Sequence, residues 1–334
     1  MISVVIPCFN TDAILFEECI KSVTQQTYTD IEILVIDDGS EKKNLDKLKK
    51  IIEGYSNAKV ICAEHKGLAA TRNLGISNSH GEYITFIDSD DIIAPDMIEN
   101  LYSVAVKEKA TIVLGYIDSF DHGQKYDFHG GTDLYNELNH DEQEKLALVG
   151  FSMKKTGLGF LSCGPCAALY KKELVEKILF PAELEIFEDI YWNILVFRAS
   201  KKTIMINKTV YAYRQVEGSI THTWKLSTIN KRIKALKEIE KIVVQNNYKN
   251  SLEWYAVRLL NNYTTIISVV MKTKELSGRR ERFQYAKQQT ENKIWNTLNI
   301  PEISKNWPAK NKIKLILYRL KLIIPVYYLK YSRD

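Results

Sequence analysis

Apolar and polar positions in the first third of the chain follow two alternating patterns. Ile2–Pro7, Ile31–Ile36, Ala58–Ala63, Tyr83–Ile87 and Thr111–Gly115 are short apolar runs, several rich in β-branched residues. Between the first two, Thr11–Gln25 carries Leu15, Cys19, Ile20 and Val23 at helical spacing. A charged helical stretch runs from Glu41 to about Glu53, and Gly67–Ser79 is helical with Gly81 closing it. Pro95 stands where another helix would begin, and that helix runs to Lys109. Continuous apolar strands separated by helices predict a mostly parallel α/β sheet, buried on both faces. Right-handed crossovers bring the strand C-termini to one edge, and ligands of such sheets bind outside it.

The rest of the chain is less regular. Gln124–Leu158 is polar and glycine-containing, which predicts a loop. Ser162–Ile178 predicts a helix after a Gly-Pro start, and Phe187–Ala199 a helix opened by Glu188-Asp189. Thr203–Tyr213 reads as one or two strands, and from about Leu226 the pattern is helical to the end. A domain boundary is expected near residue 225.

Polar residues cluster where the predicted strands end: Phe9 and Asn10 after the first, Asp37 and Asp38 after the second, Asp88, Asp90 and Asp91 after the fourth. Two carboxylates without a nearby lysine repel each other, so a hard divalent cation is their natural partner. Mg²⁺ or Mn²⁺ held by one or two carboxylates keeps positions open for phosphate oxygens. An isolated Asp-x-Asp reads more simply as a solvated turn before a helix N-terminus. The second acidic pair on the same edge turns the reading toward a site.

The segments SVVIPCFN (Ser3–Asn10), SVTQQTYTDIEILVIDDGS (Ser22–Ser40), GLAATRN (Gly67–Asn73) and GEYITFIDSDDIIAP (Gly81–Pro95) resemble the bacterial glycosyltransferase family 2. The resemblance continues at FEDIYW (Phe187–Trp192) and YRQVEGSIT (Tyr213–Thr221), covering about residues 1–222. It implies a GT-A fold over residues 1–225, with a nucleotide-sugar-binding half (1–116) and an acceptor half (117–225), and the helical pattern beyond makes residues 226–334 a C-terminal extension. It implies metal-dependent transfer of a sugar, with inversion, in surface-polysaccharide synthesis. The donor would be a nucleotide-sugar, expected to be a UDP-sugar, and the acceptor a glycan or lipid-linked oligosaccharide. Carried over residue by residue, Phe9 and the backbone around Pro7 would flank the nucleobase, and Asp38 would bond the base edge. Gly67, Arg72 and Ser89 would lie at the donor. Asp88 would face the ribose and, with Asp90, the metal, and Asp189 would be the general base. Arg214 and His222 would lie on a segment that closes over the diphosphate, where either meets a phosphate or the metal. Trp192, on an apolar helix, is expected in the core.

Two alternatives stay open on the residues alone. One is a catalytically dead relative that binds sugar nucleotides or scaffolds a complex. The other is an Asp-based phosphohydrolase, because IDSDDI (Ile87–Ile92) partly resembles a haloacid-dehalogenase nucleophile loop. Cys163-Gly164-Pro165-Cys166 has the letters of a thioredoxin motif. Without a thioredoxin-sized unit around it, it reads as a turn into the predicted helix carrying Leu169–Lys172.

Composition adds little until it is mapped along the chain. The 334 residues carry 46 Lys and Arg against 41 Asp and Glu, a net +5, too weak to imply nucleic-acid binding. Seven of those basic residues and one acid fall between Ala309 and Asp334. There Ile313, Ile316, Leu317, Leu320, Ile323, Ile324 and Tyr327 form one helical stripe flanked by lysines. Such a helix, kinked at Pro325, suits either core packing or peripheral membrane contact through residues 310–330. The five cysteines and the strand-like N-terminus point to a cytoplasmic chain without a disulfide framework.

Overall fold

A computed structural model describes residues 1–128, 131–152, 159–161, 163–216, 225–245, 250–300, 307 and 309–331. The chain forms two compact units, Met1–Val216 and Glu217–Asp334.

The first unit opens with β1 (Ile2–Cys8), α1 (Ala13–Thr24), β2 (Ile31–Asp37), α2 (Lys42–Ile52), β3 (Ala58–Cys62) and α3 (Leu68–Asn78). It continues with β4 (Tyr83–Phe86), β5 (Ile92–Ile93), α4 (Met97–Glu108), β6 (Ile112–Asp121), β7 (Tyr135–Glu137) and α5 (His140–Val149). It ends with β8 (Phe151–Ser152), β9 (Phe160–Leu161), β10 (Ala168–Lys171), α6 (Lys172–Val175), α7 (Glu188–Ala199) and β11 (Thr203–Gln215).

The sheet runs β3-β2-β1-β4-β10-β6-β11-β5. β3, β2, β1 and β4 are parallel, as the apolar runs predict. Every residue of β1 is buried. Its pairing with β4 stops at Val5↔Phe86, so Pro7, which lacks an N–H, sits past the end of that ladder. Helix α1 buries Leu15, Phe16, Cys19, Ile20 and Val23, and the Asp12 carboxylate caps it by accepting from Ile14 N at 2.8 Å. Helix α3 lies close on β1, since a Cβ at Gly75 would stand 2.2 Å from Val5 Cγ1.

Three expectations are corrected. Within the helix expected over Ser162–Ile178 only Lys172–Val175, as α6, is helical: Ala168–Lys171 form β10, antiparallel between β4 and β6. Ala167, in the left-handed region (φ 59°), turns the chain into β10. The strand's backbone groups fill the facing edges of β4 and β6, and this pairing overrides local helical spacing. Cys163–Cys166 therefore leads into a strand, and no disulfide joins its cysteines. Gln124–Leu158 holds β7, α5 and β8 rather than loop alone. Helix α5 opens on a capping box, in which Asn139 Oδ1 accepts from Glu142 N at 3.0 Å and Glu142 Oε2 accepts from Asn139 N at 2.9 Å.

The second unit contains α8 (Ile229–Gln245), α9 (Ser251–Lys272), α10 (Arg279–Thr290), a 3-10 segment (Lys293–Asn299), α11 (Ala309–Arg319) and α12 (Ile323–Lys330). Its core is α9, where Tyr255, Leu259, Leu260, Ile266, Ile267 and Val270 are buried. Tyr263 packs edge-on against both Trp295 and Tyr318, with centroids 5.2 and 5.0 Å away. The C-terminal stripe is not one helix kinked at Pro325. It breaks at Lys321, which is left-handed (φ 59°), and Pro325 lies in the first turn of α12. There a missing N–H costs no helical bond.

Candidate active site

The site is built at the C-terminal edge of β1, β2, β4 and β11, starting with the two loops that follow β1 and β2. Asn10, left-handed at φ 50°, ties them together. Its N–H donates to Ser40 Oγ at 2.8 Å, and its Oδ1 accepts from Glu41 N at 2.8 Å. Asp37, buried at the end of β2, accepts from Ser40 N at 3.2 Å. Asp38 is also buried and committed to the turn before α3. Its two carboxylate oxygens accept from Lys66 N at 2.8 Å and Gly67 N at 3.0 Å, and Oδ2 lies 2.9 Å from His65 Nδ1. Gly67 caps α3 at φ 88°, a conformation its lack of Cβ makes accessible. This holds His65 against Phe9, with stacked rings 4.2 Å apart and 22° between planes. Phe9 remains 49% exposed, so the pair presents a flat aromatic surface at the rim.

The carboxylates after β4 are held by β11. Tyr211 Oη donates to Asp91 Oδ2 at 2.7 Å and accepts from Asp88 N at 3.1 Å. Asp91 Oδ1 accepts from Arg214 N at 2.7 Å, and Arg214 Nε donates to the Asp90 carbonyl at 2.8 Å. The Arg214 guanidinium also meets Glu18 at 2.5 Å and lies over the Phe120 ring at 4.6 Å. Arg214, at the end of β11, is thus 3% exposed and held by protein groups. Ser89 Oγ is 2.7 Å from Thr11 Oγ1, linking the same loop to the end of β1. Burial and the adjacent Asp88 and Asp90 push the Asp91 carboxyl well above its ordinary range.

Arg72 joins this loop to α7. It is 3% exposed, with one terminal nitrogen 3.1 Å from Asp88 Oδ1 and the other 3.3 Å from Glu188 Oε1. Phe187, left-handed at φ 64°, opens α7 so that Glu188 and Asp189 fall in its first turn. Asp189 Oδ1 accepts from Ile190 N at 2.7 Å. Burial, then the charge of Asp189, pushes the Glu188 carboxyl up to about 7, against the pull of Arg72. Trp192 is fully buried, stacked on Phe180 at 4.1 Å, with its Nε1–H donating to Ile178 O at 2.6 Å.

The structure therefore brings Phe9, Asp38, Gly67, Arg72, Asp88, Ser89, Asp90, Asp189 and Arg214 to one edge. His222 and much of the 150–164 segment lie outside the described residues. Sequence reasoning missed His65, Glu18 and Tyr211. Only His65, two residues before Gly67, left a local hint; Tyr211 reads as ordinary core in a strand.

Among the described residues no group of three or more His, Cys, Asp or Glu side chains is arranged to hold a metal alone. Asp88 and Asp90 nonetheless suit a divalent ion that shares its shell with phosphates. Burial, then Asp88, raises the Asp90 carboxyl, and Arg214 only partly relieves it. A cation between the two would relieve it further. A separate cavity of about 240 Å³, lined by Asn100, Lys107, Tyr135 and Lys208, lies toward the start of β11, away from this edge, and has no paired carboxylates.

The sheet order and the carboxylate edge define a GT-A type of α/β fold with a helical C-terminal portion. Residues 3–179 match Glycosyl transferase family 2, and the chain belongs to that family. Glycosyltransferase GlyA of Streptococcus pneumoniae serotype 4 is 31% identical over 304 residues, 91% of this chain but 42% of GlyA. This chain thus spans less than half of that relative. Glycosyltransferase GlyG of the same organism is 34% identical over 230 residues, 67% of this chain and 73% of GlyG. In fold the chain is similar to S. aureus TarS 1-349, solved in complex with UDP, with a TM-score of 0.67 and 18% identity over 99% of this chain and 91% of that one.

Proposed function

We propose that the chain is an inverting, metal-dependent glycosyltransferase that moves a sugar from a UDP-sugar to a hydroxyl of a glycan or lipid-linked oligosaccharide in surface-polysaccharide synthesis. The observation that carries this reading is the Arg72 bridge, which joins Asp88 after β4 to Glu188 at the start of α7. One buried cation thereby couples the loop suited to a diphosphate's metal to the helix that opens with the candidate base. The UDP preference is supported by family membership and by the UDP-bound fold neighbour.

In this reading the Phe9–His65 pair stacks on the nucleobase, with Pro7 and the Asp38–Gly67 turn shaping the cleft beside it. Asp88 and Asp90 would hold Mg²⁺ or Mn²⁺, which supplies charge compensation for the leaving diphosphate. The acceptor oxygen bonds to the anomeric carbon as the carbon–oxygen bond to the β-phosphate breaks on the opposite face. Asp189 takes the acceptor's proton, and the first turn of α7 favours its ionised form. Arg214 and Tyr211 position the loop. A lipid-linked acceptor would set the chain against the cytoplasmic face of a membrane.

The test is thermal denaturation with UDP-, GDP-, CDP- and dTDP-sugars, with and without Mn²⁺, followed by product analysis with a glycan acceptor. A ligand that binds only the folded state raises the melting temperature by mass action. The expected result is a metal-dependent shift with a UDP-sugar and acceptor-dependent release of UDP. Phosphate release from phosphoesters without an acceptor, or shifts that ignore metal, would overturn the reading.

A further inference from the structure

The C-terminal helices present an apolar surface that the second unit does not cover. Fourteen large apolar side chains are exposed among the described residues, and six of them fall within seventeen residues: Ile313, Ile316, Leu320, Leu322, Val326 and Leu329. This crowding separates the patch from the single exposed apolar residues that any protein surface carries.

Helix α11 uses its two faces differently. Its inner face carries Leu315, 2% exposed, and Tyr318, whose Oη donates to Trp295 O at 2.8 Å. Arg319 secures the same side, with Nε donating to Leu298 O at 3.1 Å. Leu315 and Tyr318 suffice to dock the helix, so Ile313, Ile316 and Leu320 are left on the outer face at i, i+3 and i+7. Lys310 and Lys312 are exposed on either side of that outer stripe. The left-handed turn at Lys321 then redirects the chain into α12, which buries Ile323 and exposes Val326, Leu329 and Lys330. Sequence spacing posed core packing and membrane contact as alternatives; α11 packs one face and leaves the opposite one exposed.

We propose that α11 and α12 bind the surface of an anionic lipid bilayer, with Ile313, Ile316, Leu320, Leu322, Val326 and Leu329 entering the headgroup boundary and Lys310, Lys312, Lys321 and Lys330 meeting lipid phosphates. Charge complementarity selects this occupant, since residues 309–334 hold seven Lys and Arg and a single acid. A second copy of this chain would bring two positive surfaces together. Apolar side chains rimmed by lysines are what an interfacial helix needs. None of the chain's described helices is long and apolar enough to cross a membrane, so the contact is lateral. The inference does not depend on the transfer reaction: vesicle binding can fail while transfer persists, and the reverse.

Flotation of the full chain with vesicles of phosphatidylcholine and phosphatidylglycerol, against phosphatidylcholine alone, tests it. Binding to the anionic vesicles is expected, weakened by salt. Lys310→Glu, Lys312→Glu and Lys321→Glu combined should reduce it about a hundredfold. Ile316→Asp with Leu320→Asp should abolish it while the melting temperature holds, because both side chains are already in water. Equal binding to neutral vesicles, or no change in either variant, would overturn the proposal. So would a concentration-dependent dimer, lost on Ile316→Asp, in a chain that does not float.

Discussion

Tyr211 and Asp91 are joined by a 2.7 Å hydrogen bond, 120 residues apart in sequence, and the same phenol oxygen accepts the backbone N–H of Asp88 at 3.1 Å. A single side chain on β11 therefore sets both ends of the Asp88–Asp91 turn. Tyr211→Phe removes the donor and leaves a buried carboxyl oxygen without it, at a cost of about 1–3 kcal/mol. Denaturation should show that loss, and titration should show Mn²⁺ affinity weakened about tenfold, as for other groups that orient metal ligands. Unchanged Mn²⁺ affinity would mean the turn holds its shape without β11.

Asp189→Asn should keep donor affinity, since the carboxylate is assigned to the acceptor hydroxyl. Removing a general base slows the chemical step by about a hundredfold to ten-thousandfold. Initial rates alongside calorimetric donor binding separate the two. Near-native transfer by Asp189→Asn would leave the base unassigned.

Glu188 makes stability pH-dependent in a defined direction. Its carboxyl is raised from 4.5 to about 7 in the fold. Below the lower value it is protonated in both folded and unfolded chains. Between the two values only the folded chain keeps the proton, so this residue's contribution to stability falls as pH rises. Above about 7 both forms are ionised and the loss is complete, of order 3 kcal/mol. Glu188→Gln should thus match the native protein near pH 4.5, exceed its stability increasingly toward pH 7 and hold that difference above it. Urea denaturation in EDTA checks this; a constant difference across pH would contradict it.

Phe9→Ala removes half of the stacked pair at the rim while leaving the carboxylates in place. If that pair holds the base, the donor KM should rise about tenfold with kcat nearly unchanged, the signature of lost binding common to ground and transition states. A fall in kcat at constant KM would place Phe9 elsewhere in the reaction.

Gly75→Ala would put a methyl group 2.2 Å from Val5 Cγ1. Overpacking of this kind costs about 1–3 kcal/mol. Adding Val5→Ala should recover part of the loss, and a double-mutant cycle by denaturation measures the coupling. Strict additivity would mean that α3 shifts away from β1.

Much of this protein is determined by short-range pattern. The apolar runs of β1, β2 and β4 carry their own strand signal because both faces are buried. The helices between them carry amphipathic or capping signals, and the acids after β2 and β4 stand at strand ends whatever the rest of the chain does. Those features sufficed for an α/β sheet with one polar edge. Long-range contacts decided the remainder. Ala168–Lys171 becomes a strand because β4 and β6 leave a gap that only an extended segment fills. Arg72 and Arg214 read from the sequence as donor-side residues, but nothing local shows that each is 3% exposed with Glu18, Asp88 and Glu188 brought to them from distant segments. The Asp38 carboxylate, too, finds partners in the distant Lys66–Gly67 turn. Local spacing records periodicity and caps, but the partner of a buried charge comes from whichever segment the fold brings beside it, and that is a property of the tertiary structure alone.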